Sequence, residues 1–97
     1  MVTLAMKYRS RDAILKCILE EIEKKNGHAR ITEIMYKSFL SHYQLKKYMQ
    51  SLKKSGLIVE KLVTEKQYEY KLTDKGRKLL GIYNEMDKMV PDISDPE

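Results

Sequence analysis

The chain has 97 residues, enough for one small domain, with a hydrophobic share of 42% and a charged share of 34% that describe a globular, helix-rich protein. No apolar run approaches the roughly 20 residues of a bilayer span, and a single cysteine excludes an internal disulfide and suits a reducing cytoplasm. The net charge of +5 is unevenly placed: residues 1–71 hold 15 Lys/Arg against 8 Asp/Glu, and residues 72–97 hold 4 against 6, so a basic body that suits an anionic partner precedes an acidic end.

Residues 1–9 are read as an N-terminal arm, which the sequence leaves open as strand, helix extension or frayed end. The opening MVTLAM is too short for a signal peptide. Ser10 is placed to cap a helix, with Asp12 at its positive end. Ile14, Ile18 and Ile22 then recur every fourth residue, Leu15 and Leu19 widen the stripe, and Lys16, Glu20 and Glu23 fall opposite. Asn26-Gly27 stops this helix. His28 to Ile31 reads as a short extended link, and Thr32 as the cap of a short helix, TEIMYKS, that buries Ile34 and Met35. Phe39-Leu40 forms an apolar corner. Ser41 and Gln44 spell the capping box S-x-x-Q, a specific start signal for a third helix, which Ser55-Gly56 ends.

LIVEKLV (57–63) and QYEYKL (67–72) predict two strands, the second with Tyr68, Tyr70 and Leu72 on one face and Glu69 and Lys71 on the other. The intervening TEK has no Gly or Asn, which predicts a connection longer than two residues. Thr73-Asp74 caps a last helix, which Pro91 ends, and residues 91–97 read as an acidic, disordered tail. This order predicts an α+β, mostly helical fold: a winged helix-turn-helix, with a three-helix core and a β-hairpin wing over residues 10–72 and a final helix over 73–90.

In the third helix Leu45, Met49 and Leu52 share a narrow arc, with Tyr48 at its edge. Tyr43, Lys46, Lys47, Gln50 and Lys54 lie opposite, flanked by His42 and Lys53. Lysine can donate to guanine acceptors, glutamine can bond adenine in two places, and tyrosine can meet a thymine methyl or a phosphate. A solvent-facing helix is polar in any case. The charge run gains meaning from its place, on the second helix of a tight pair ahead of a hairpin. The expected DNA contacts are Tyr43, Lys46, Lys47 and Gln50 at base edges and Lys37, Lys53 and Lys54 on phosphate. His42 would join the phosphate contacts when protonated, and Lys66 would do so from the wing tip. Lys7, Arg9, Arg11 and Arg30 suit either phosphate contact or simple solvation.

The stretches YRSRDAILKCIL, ITEIMYKSFLSHYQLKKYMQSLKKSGLI and YKLTDKGRKLL resemble the small archaeal winged helix-turn-helix proteins. These include predicted transcriptional regulators and dimeric, chromatin-associated DNA-binding proteins joined through their C-terminal helices. The resemblance covers about residues 7 to 90, and its middle stretch is the specific part. It implies a recognition helix from Ser41 to Ser55, a wing from Leu57 to Leu72 and a dimerisation helix from Thr73 to Val90. It also implies a cytoplasmic, nucleoid-associated protein. The wing tip departs from a strongly cationic pattern, with Glu65 beside Lys66, and the last helix is short beside members that form long coiled coils.

Leu79, Ile82, Met86 and Met89 are spaced 3, 4 and 3, the rhythm of a coiled-coil seam. The expected homodimer interface is Leu79, Ile82, Tyr83, Met86 and Met89, with Leu80 and Tyr83 at the border, where they can pack on the body. A twofold dimer favours half-sites about one helical turn apart. Cys17, His28 and His42 lie far apart and lack zinc-site spacing, so no metal or other cofactor is expected. The four glycines are scattered stops and turns, and no nucleophile has an evident base, so no enzyme is expected. Tyr8, Tyr36, Tyr68, Tyr70 and Tyr83 read as core-edge residues before they read as a stacking platform. The expected partners are double-stranded DNA and a second copy, with no membrane and no identifiable small-molecule effector. The alternatives are a protein–protein module of the same fold and a nonspecific architectural DNA-binding protein.

Overall fold

The computed structural model describes residues 10–89; the expected arm at 1–9 and the stop and tail from Pro91 onward lie outside the described residues. The elements are α1 (Arg11–Lys24), α2 (Ile31–Ser38), α3 (His42–Lys54), β1 (Ile58–Thr64), β2 (Gln67–Leu72) and α4 (Asp74–Met89). Local signals set most of their ends. The Ser10 hydroxyl accepts from the Ala13 amide at 3.1 Å and starts α1. Asn26 and Gly27 follow with φ of 53° and 93°, the left-handed pair that ends it. The Ser41–Gln44 box is closed both ways, Gln44 N to Ser41 Oγ at 3.1 Å and Ser41 N to Gln44 Oε1 at 3.0 Å. Gly56, with φ of 75°, ends α3 in a Schellman motif: the Leu57 amide reaches the Leu52 carbonyl at 2.9 Å and the Gly56 amide the Lys53 carbonyl at 3.0 Å.

Three expectations need correcting. Helix α2 begins at Ile31, not after a Thr32 cap, because the Glu33 carboxylate accepts from the Arg30 amide at 3.1 Å and fixes the start earlier. That same amide holds the Glu33 carboxyl below its usual range, with Lys25 adding to the effect. The hairpin connection is two residues, Glu65-Lys66, with Thr64 opposite Gln67. Neither residue has positive φ, and the register irregularity between Leu62 and Thr64 absorbs the twist that a primed turn would otherwise supply. Finally, the corner is only half apolar packing: Leu40 sits against the core, but Phe39 is exposed.

Helices α1, α2 and α3 and the base of the hairpin enclose one core. Ile18, Leu19 and Ile22 meet Ile34, Leu45, Met49, Leu52, Ile58, Tyr70 and Leu72, all buried, with Leu80 of α4 completing the cluster. Each buried Ile or Leu contributes about 2 kcal/mol by leaving water. Ala29 forms a single antiparallel bridge to the hairpin edge, its carbonyl accepting from the Tyr70 amide at 2.9 Å. The antiparallel register pairs Ile58 with Leu72, Glu60 with Tyr70 and Leu62 with Tyr68. These six residues share one face, buried at its base and open toward its tip, where Leu62 and Tyr68 are exposed.

Thr73 joins the hairpin to α4. Its hydroxyl accepts from the Gly76 amide at 3.0 Å as an N-cap and donates to the Gly56 carbonyl at 2.6 Å. The start of α4 thus meets the end of α3. Farther on, α4 crosses α1 through Arg77–Glu23, Tyr83–Asp12 and Lys16–Asp87. The Asp87 carboxylate, as hydrogen-bond partner, holds the Lys16 ammonium above its ordinary range against the opposing effect of burial. Lys16, which lies opposite the apolar stripe of α1, therefore faces α4.

Candidate nucleic-acid interface

Burying Leu45, Met49 and Leu52 fixes the rotation of α3 about its own axis. Tyr43, Lys46, Lys47, Gln50, Lys53 and Lys54 are consequently all exposed, and His42 stands exposed at the helix start. The Lys47 ammonium lies 4.8 Å from the centre of the Tyr43 ring, a cation–π contact within one turn. Lys47, Gln50, Lys53 and Lys54 line one shallow hollow along this face together with Ser51. Between Glu33 and Glu60 the sequence contains no acid at all, so nothing on α3 itself neutralises these cations.

A second hollow, a cleft of about 470 Å³, opens between the start of α2, the start of α3 and the hairpin. His42, Lys46 and Lys66 line it, joined by Arg30, Thr32, Gln67 and Tyr68. Arg30, for which solvation and phosphate contact were equally suited, thus stands with Lys46 and Lys66 on one basic cleft. Thr32 and Gln67 were missed. They come from the first turn of one helix and the first residue of a strand, and no spacing in the sequence relates them. Arg11 lines a further hollow with Lys47 and Ser51 on the opposite flank of α3. Lys7 and Arg9 lie outside the described residues, and Lys37, exposed in the last turn of α2, lines none of these hollows.

One acid enters the cleft. Glu60 of β1 accepts from the Lys53 ammonium at 2.8 Å and, through its other oxygen, from the Tyr70 hydroxyl at 2.9 Å. Lys53 holds the Glu60 carboxyl below its usual range, outweighing partial burial, and Tyr70 adds to the effect. Burial, with the Glu60 carboxylate second, pushes the Tyr70 phenol up. The triad ties the end of α3 to both strands. Lys53 is therefore engaged within the chain, whereas Lys46, Lys47 and Lys54 form no ion pair among the described residues.

The expected dimer residues divide. Leu79 and Tyr83 pack against the core, with the Tyr83 hydroxyl donating to Asp12 at 3.4 Å, whereas Ile82, Met86 and Met89 are exposed, Met89 by 77%. Among the tyrosines, Tyr70 is buried and Tyr83 lies at the core edge, but Tyr36 stands in solvent, and Tyr8 is outside the described residues. No helix among the described residues is long and apolar enough to cross a membrane.

The same architecture recurs in solved structures. Sso10a-2, a DNA-binding protein from Sulfolobus solfataricus, is 25% identical over 88% of this chain and 85% of its own, with a TM-score of 0.74. AF1382 from Archaeoglobus fulgidus is 18% identical over 88% of this chain and 96% of its own, with a TM-score of 0.68. BpsR from Bordetella bronchiseptica, whose DNA binding is regulated by 6-hydroxynicotinic acid, is 11% identical over 96% of this chain and 74% of its own, with a TM-score of 0.74. No curated protein matches the chain. Residues 8–90 match the family model described as winged helix-turn-helix, a span that takes in every element from α1 to α4. With its capped helical pair, its corner and its two-stranded hairpin, the chain belongs to the winged helix-turn-helix family.

Proposed function

We propose that this chain binds double-stranded DNA with α3 in the major groove and acts, as a homodimer, as a transcriptional regulator on the nucleoid. The observation that carries the reading is the acid-free exposed face of α3, which opens at its start onto the basic cleft beside the hairpin. Lys46, Lys47, Gln50 and Tyr43 are the candidates for base edges. Lys54, Arg30 and Lys66 are the candidates for phosphate, with Lys53 available once it leaves Glu60. The DNA-binding character of Sso10a-2, similar over most of both chains, supports the same reading.

Fluorescence anisotropy with a mixed-sequence duplex across a salt series tests it. About four to six phosphate contacts give a log–log slope of roughly −4 to −5. The Lys46→Glu, Lys47→Glu variant should lose at least about tenfold in affinity. Unchanged affinity in the folded double variant overturns the assignment. Site selection then separates a regulator from an architectural protein by its specificity ratio. A second reading, a protein–protein module, draws on the apolar outer hairpin, where Val59, Leu62 and Val63 are exposed; it predicts no duplex affinity even at low salt.

A further inference from the structure

At the corner between α2 and α3 the Phe39 backbone ends α2 as its left-handed C-cap, but its side chain adds little to the core. Phe39 takes φ 57° and ψ 37°, the left-handed region that glycine and asparagine enter easily and a bulky side chain only at a cost. Burial does not compensate, because 67% of Phe39 is exposed. A strained residue of this kind at the surface points to a use outside the fold. Four positions on, in the first turn of α3, Tyr43 is 69% exposed and carries the Lys47 ammonium over its ring. Lys37 precedes the corner and Lys46 follows it, all within the acid-free stretch. An exposed Phe39 ring among cations suits a flat, electron-rich ring attached to phosphate, which is a nucleotide whose base is not already stacked.

We infer that the exposed Phe39 ring forms a stacking site for an unpaired base, and that the chain binds single-stranded DNA through this end of α3. The inference rests on the nucleic-acid reading of α3 and goes beyond it, since an intact duplex hides the base faces that Phe39 would need. The chain contains no tryptophan, so Phe39→Trp installs a lone reporter at the corner. Its emission should be strongly quenched by a 12-nucleotide oligothymidylate and little changed by a saturating duplex. Phe39→Gly removes the ring and relieves the left-handed strain together, so its thermal midpoint should equal or exceed that of the parent chain. Its affinity for oligothymidylate should nonetheless fall about tenfold relative to its affinity for duplex. Opposite movement of stability and binding is what a merely structural Phe39 would not produce. Oligothymidylate binding without quenching, or an equal loss for both DNAs in Phe39→Gly, overturns the stacking site while leaving duplex recognition standing. Loss of self-association in Phe39→Gly on sedimentation would make the corner a protein contact and overturn the inference. Failure of the parent chain to bind either DNA would instead remove the reading on which it rests.

Discussion

A single carboxylate decides much about how α3 meets its surroundings. Glu60 is the acid of the cleft and holds Lys53 of α3 and Tyr70 of β2 at once. Because Lys53 keeps its folded pKa below the unfolded value of about 4.3, the triad stabilises the fold fully above that value and is lost as pH falls through the lower, folded one. Glu60→Gln should therefore lower the thermal midpoint at pH 7, and the difference from the parent chain should close as the pH is lowered from about 5 through the depressed pKa of Glu60. Circular dichroism melts at matched ionic strength measure it; parallel profiles for the two proteins would mean that the pair contributes nothing. The same variant frees Lys53 and removes a negative charge from the cleft, so its duplex affinity should rise at low salt and its salt slope steepen by about 0.9. None of this was legible in the sequence, where Lys53 and Glu60 stand 7 residues apart across a glycine stop. Lysine 53 read simply as one more phosphate contact.

Within elements, legibility follows the range of the interaction. The caps of α1, α3 and α4 are closed by residues within three positions of one another, so Ser10, Ser41 with Gln44, and Thr73 could be read directly. The hairpin connection could not, because its two-residue turn depends on an irregularity in the strand before it. The glycines of α4 make the same point. Gly76 is buried where a Cβ would lie 2.1 Å from the Leu57 carbonyl oxygen, whose own partner is the Thr73 amide at 3.0 Å. Gly81, in the same helix, faces open space. Gly76→Ala should thus destabilise the protein by about 3 kcal/mol, since backbone and not a flexible side chain must give way. Gly81→Ala should stabilise it by about 1 kcal/mol through helix propensity alone. Urea unfolding of the two variants checks the pair; similar values would mean that α4 does not seat on Leu57.

The whole molecule adds what neither scale contains. Folding brings Arg30, Thr32, Lys66 and Gln67 to one cleft beside α3, although no local signal links the two helices to the hairpin tip. It also divides the last helix, turning Leu80 inward and Leu79 and Tyr83 against the body while leaving Ile82, Met86 and Met89 outside. The periodic pattern predicted one seam of four, with Tyr83 at its border, but a helix attached to a body must spend part of that seam on it. Three outward residues spaced 4 and 3 still fit the stripe of a paired helix. Large apolar side chains in one line on a small domain mark a contact surface. If that contact is a second copy, Ile82→Glu with Met86→Glu should leave the helical circular dichroism unchanged, because both positions face solvent within the protomer. The variant should sediment as a monomer where the parent chain sediments as a dimer. Duplex affinity should then fall about a hundredfold, since two linked recognition helices bind far more tightly than one. A parent chain that sediments as a monomer at tens of micromolar would refute the seam, and each recognition helix would have to read its DNA alone.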